Sequence, residues 1–98
     1  MGNNEGSVED TLKQRGSVYG SYEVVCETRA AILSLLAIHC EVTSGKPMTP
    51  TQEVAFGDLV LKLVRAAGAP NYADSFHDLS GYSRLNEDMI NEKHSKEA

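Results

Sequence analysis

Two cations and two carboxylates make up the most concentrated chemistry in this sequence. Lys62 and Arg65 stand three apart on one predicted helix, and Asp74 and Asp78 stand four apart at the start of the next. At ~100° per residue, Asp78 falls inside the apolar arc of its own helix, between Leu85 and Tyr82. A carboxylate on a core-facing stripe is costly unless paired, and Lys62 and Arg65 are the expected partners. The same cations suit phosphate, Arg through its planar fork and Lys as a point charge. The roles are compatible, because an ion-pair network with a spare donor can also receive an anion. Tyr19-Gly20 is either a turn or a place where a backbone approaches a base and the ring stacks on it. Tyr82 lies on the core-facing arc, where packing competes with ligand contact and a buried hydroxyl needs a partner. The candidate ligand set is therefore Lys62, Arg65, Asp78, Tyr19 and Tyr82. Gly81 lies in mid-helix, where glycine costs ~1 kcal/mol relative to alanine. Close helix approach or a ligand would explain it.

A second set is acidic. Glu23 and Glu27, four apart, could coordinate magnesium together with Asp58, since that cation takes oxygen ligands and keeps waters in its remaining positions. Magnesium is accordingly the one candidate cofactor. The alternative is a solvated stripe near a helix N-terminus, where negative charge is favourable. Cys26 and Cys40 are too few and too far apart for a zinc framework and read as reduced structural thiols. His39 and His77 enter no nucleophile–base arrangement, and no glycine-rich phosphate loop is present.

These residues need helices to position them. Ser7-Val-Glu-Asp10 resembles a capping box and opens a short helix to about Arg15. Ser21 caps a longer helix to about Cys40, and residues 41–48 read as a loop. Thr49-Pro50-Thr51-Gln52 is the best local signal: Thr caps, Pro takes the first helical position and Gln reaches back from the third. That helix runs to about Ala67, with Gly68 as its left-handed terminator. Asp74 or Ser75 then caps a last helix to about Asn91. The expectation is an all-α fold, a small helical bundle of three main helices plus a short N-terminal one. It divides into a flexible N-terminus at 1–6, one helical domain at 7–91 and a flexible tail at 92–98.

The faces of the two central helices carry a further expectation. Glu23, Glu27 and Ser34 share an arc of about 40°, and Asp58, Lys62 and Arg65 one of about 60°. Nearly everything else on both helices is apolar, including Val24, Val25, Ile32, Leu33, Leu35, Leu36 and Ile38, then Val54, Phe56, Leu59, Val60, Leu61, Leu63 and Val64. A chain of 98 residues has too few elements to cover two such helices, so a homo-oligomer is expected. A formal charge of -5 with no basic cluster argues against nucleic-acid binding. No apolar run approaches the ~18 residues of a membrane span, and the polar N-terminus is unlike a signal peptide. A cytoplasmic protein without a membrane partner is expected.

The pattern Arg15-Gly-Ser-Val-Tyr19-Gly20, then Val54 through Lys62-Leu-Val-Arg65, then Asp74-Ser-Phe-His-Asp78-Leu-Ser-Gly81-Tyr82 resembles a family of small phage and prophage proteins. That family is catalogued as a domain of unknown function, and the similarity spans roughly Val8 to Asp88. It implies a phage origin and the host cytoplasm as location. A more distant likeness is to the all-α MazG-like nucleotide pyrophosphohydrolases, which are helical, oligomeric and magnesium-dependent. Their metal site resembles a Glu-x-x-Glu pair on one helix and a Glu-x-x-Asp pair on the next. Here Glu23 and Glu27 are spaced one residue too widely, and Val54 and Gly57 stand where further carboxylates would be expected beside Asp58.

Three functions follow from these readings. The first is a phage accessory protein that binds a nucleotide-like, phosphate-bearing ligand without turning it over, for example in counter-defence. The second is a magnesium-dependent nucleotide pyrophosphohydrolase using Glu23, Glu27 and Asp58. The third is a ligand-free module that docks on a host or phage protein.

Overall fold

Thr49 begins the best-defined helix of the protein. In the computed structural model, which describes residues 8–12 and 21–97, its hydroxyl accepts the Gln52 N–H at 3.2 Å. The Gln52 side chain in turn accepts the Thr49 N–H at 2.9 Å. Pro50 occupies the start, where no intrahelical donor is needed. This reciprocal cap opens helix α3, Pro50–Gly68. Before it come α1, at residues 8–12, and α2, Tyr22–Ser44; after it comes α4, Ala73–Glu97. The protein is all-α, with three substantial helices, a short N-terminal one and no strand among the described residues.

Helix α2 begins at the expected cap, Ser21, whose hydroxyl accepts the Val24 N–H at 3.2 Å. It runs a turn further than expected. Gly45, at φ 78°, supplies the left-handed residue and donates its N–H to the Glu41 carbonyl at 2.9 Å. Ser44 reinforces that end by donating to the Cys40 carbonyl at 2.6 Å. Gly68, in contrast, stays helical, and α3 stops at Ala69, whose N–H is shared between the carbonyls of Arg65 and Ala66. Asp74 and Ser75 both lie inside the first turn of α4 instead of capping it. Ser75 is fully buried there, with no hydrogen-bond partner for its hydroxyl among the described residues. Residues 92–97, expected as a polar tail, continue α4. Lys96 pairs with Glu92 at 3.4 Å across one turn, a spacing that supports a helix without burial.

Helix α3 is the middle of the structure: α2 packs on it from one side and α4 from the other, and α2 and α4 do not touch. Among the described residues the buried apolar ones are Val25, Met48, Val60 and Ala66. The arrangement is elongated, 57 × 28 × 25 Å, with a radius of gyration of 16.8 Å, against roughly 13 Å for a compact domain of this length. No helix among the described residues is long and apolar enough to cross a membrane.

Candidate functional site: the α3–α4 cleft

Lys62 points from α3 toward α4, where its Nζ donates to Asp78 Oδ2 at 3.0 Å. The lysine side chain is 15% exposed and the carboxylate 39%, so the pair sits at the edge of the helix–helix contact and outside the core proper. Asp78 is therefore less enclosed than its place in the apolar arc suggests. One turn along α4, the Tyr82 ring lies with its centroid 6.0 Å from the same Nζ, at the outer reach of a cation–π contact. Asn86 donates its side-chain amide to the Tyr82 carbonyl at 3.0 Å, anchoring that turn.

Around this pair opens a cleft of about 520 Å³ lined by Lys62, His77, Asp78, Gly81, Tyr82 and Leu85. Its volume falls within the roughly 300–1,000 Å³ of small-molecule sites. Gly81 forms part of the wall, and a Cβ built there would meet nothing within 4 Å. Helix packing within the chain therefore does not require glycine at this position. An ammonium carries three donors, and the Asp78 bond uses one of them. A cation, a tyrosine ring and an open stretch of helix backbone thus line one volume, which suits an anion attached to a flat group.

Other candidate residues are placed differently. Arg65 lies one turn beyond Lys62, half-buried in the last turn of α3, and does not line the cleft; the cation that Asp78 pairs with at 3.0 Å is Lys62. Asp58 lines a neighbouring open cleft of about 410 Å³ that shares Tyr82 and Leu85 with the first. Among the described residues no three His, Cys, Asp or Glu side chains gather closely enough to hold a metal ion. Glu23 and Glu27 on α2 and Asp58 on α3 do not form such a set within one chain. The residues present thus do not fit the magnesium site that the hydrolase likeness implies. Cys26 and Cys40 are free thiols, half-buried. Tyr19 lies outside the described residues.

His77 and Leu85 are members of the cleft that sequence reasoning did not select. The available signal was their spacing: His77, Gly81 and Leu85 recur every four residues and share one side of α4. Comparison of the chain with protein-family models, with curated proteins and with solved structures returns no match.

Proposed function

We propose that this chain is a phage-type accessory protein of the host cytoplasm that holds a nucleotide-like, phosphate-bearing ligand in the α3–α4 cleft. The reading assigns binding rather than turnover, because the groups that support it are groups that hold a ligand. Lys62 supplies positive charge to a phosphate, Tyr82 an aromatic face to a base, and Gly81 a backbone that a ligand can approach. The observation that carries the reading is the meeting of a partly buried lysine and a glycine with no packing role in one cleft. Sequestering a signalling nucleotide of host defence is the use that fits both this chemistry and the phage resemblance.

The experiment is a thermal-shift and calorimetric screen of nucleoside mono-, di- and triphosphates and cyclic dinucleotides, with and without magnesium, on the natural chain and on Lys62→Ala. A ligand at a hundred times its dissociation constant adds ~2.7 kcal/mol to stability, which such a screen reads as a raised melting point. Binding lost in Lys62→Ala supports the proposal. No shift with any of these nucleotides, or a shift that Lys62→Ala leaves unchanged, overturns it.

A further inference from the structure

Helix α2 carries a second pattern, unrelated to the cleft. Val24, Thr28, Ala31, Leu35, Ile38 and Val42 follow one another at alternating spacings of four and three along its length. This is the heptad spacing of a helix that pairs with another helix. All six are exposed, Leu35 at 66%, Ile38 at 59% and Val42 at 79%. Leu33, whose side chain lies against Gly57 of α3, sits on the far side of α2, ~180° around from Val24. Beside the seam, α2 and α3 enclose a groove of about 490 Å³ lined by Val24, Val25, Thr28, Ile32, Leu63, Val64, Ala67 and Gly68, with no charged side chain. Phe56 and Leu63 extend this apolar surface on α3 and are 41% and 50% exposed.

We infer that this face is the interface of a symmetric homodimer, in which the α2 seam of each copy seats against the seam and groove of the other. The exposed side chains support a second copy as the occupant. Val24, Leu35, Ile38 and Val42 on α2 and Leu63 on α3 are each at least half exposed, a continuous apolar stripe of the kind that marks a protein–protein contact. The pattern supports it too, since a heptad seam is self-complementary and satisfies a two-fold interface with one stretch of sequence. A fold with so small a core of its own also needs its cover whenever it exists. A second copy is the one partner always present with it.

The dimer face leaves the cleft open. Leu63 and Ala67 lie ~100° and ~140° around α3 from Lys62, so the two surfaces can be tested separately. The measurements are the mass in solution by light scattering and sedimentation at micromolar concentration, and disulfide trapping of Leu35→Cys in a Cys26→Ser, Cys40→Ser background. The expected results are a mass of two copies, a melting point that rises with concentration, and a disulfide between copies on mild oxidation. Leu35→Glu should lower the mass or unfold the chain. Because unfolding alone would not distinguish a core residue from an interface residue, the trapped disulfide in a folded variant decides. A monomer mass for the natural chain overturns the inference, as does an oligomer in which Leu35→Cys fails to cross-link. Neither result depends on whether a nucleotide binds.

Discussion

Lys62 and Asp78 lie sixteen residues apart in the chain and meet at 3.0 Å across the α3–α4 contact. Their ion pair joins two helices, whereas the Arg84–Asp88 and Lys96–Glu92 pairs each lie within α4. The pair fixes how far along α3 the last helix docks, and it brings Tyr82 and Gly81 to the same opening. Its strength is limited by exposure: with the carboxylate 39% accessible, water competes for it. A fully buried pair would lose roughly 3–5 kcal/mol on removal of one partner, and an exposed one contributes about 0–1 kcal/mol. The intermediate setting places Asp78→Ala at about 1–2 kcal/mol of destabilisation. In a double-mutant cycle with Lys62→Ala the double variant should lose less than the sum of the two. Urea unfolding of the three variants reads this, and strict additivity would show that the contact does no coupling.

The cap of α3 gives a local prediction. Thr49 and Gln52 satisfy each other's backbone donors at 3.2 and 2.9 Å, and Thr49→Ala removes the hydroxyl that the Gln52 N–H uses. The expected cost is about 1 kcal/mol. In a domain of this size that lowers the melting point by roughly 4–8 °C. Since α3 carries both neighbouring helices, the loss should appear as one cooperative transition at lower temperature, without a separate early phase. Calorimetry distinguishes the two.

Features written in contiguous residues were legible in the sequence. Ser21 and Thr49-Pro50-Thr51-Gln52 mark helix starts because a cap is a local contact over three residues, and both appear where expected. Features that depend on which helices meet were not. The wide apolar arcs of α2 and α3 are real, but periodicity alone says nothing about whether α2 touches α4, and it does not. Lys62 carries the 3.0 Å contact with Asp78, a meeting set by how far along α3 the last helix docks, which periodicity does not encode. The last turn of α2 was hidden by Thr43 and Ser44, residues common in loops, although Gly45 behind them is the true stop. His77 was missed because an exposed histidine on the outer side of a helix shows no signal until the cleft beside it is seen.

The acidic set yields a prediction about turnover. Glu23 and Glu27 on α2 and Asp58 on α3 form no three-ligand group within one chain, and Val54 and Gly57 near Asp58 on α3 carry no carboxylate. Hydrolysis of common nucleoside triphosphates with magnesium should therefore be weak or undetectable, and Glu27→Gln and Asp58→Asn should not change that. The check is pyrophosphate release measured over hours at high protein concentration. Magnesium-dependent release abolished by either substitution would restore the enzyme reading, with the site completed between two copies.

Two glycines should respond to the same substitution in opposite directions. Gly45 closes α2 at φ 78°, a conformation that L side chains rarely adopt, so Gly45→Ala is strained even though space is open around it. The expected loss is about 1 kcal/mol. Gly81 is helical, and a Cβ there meets nothing within 4 Å of the chain. Gly81→Ala therefore gains helix propensity without a clash and should stabilise by up to ~1 kcal/mol. A helix that keeps a destabilising glycine on the wall of a cleft beside Lys62 and Tyr82 does so for something outside the chain's own packing. Gly81→Leu, which fills part of the cleft, should keep the gain in melting point and lose nucleotide binding. A leucine variant that is stabilised and still binds would place the ligand elsewhere.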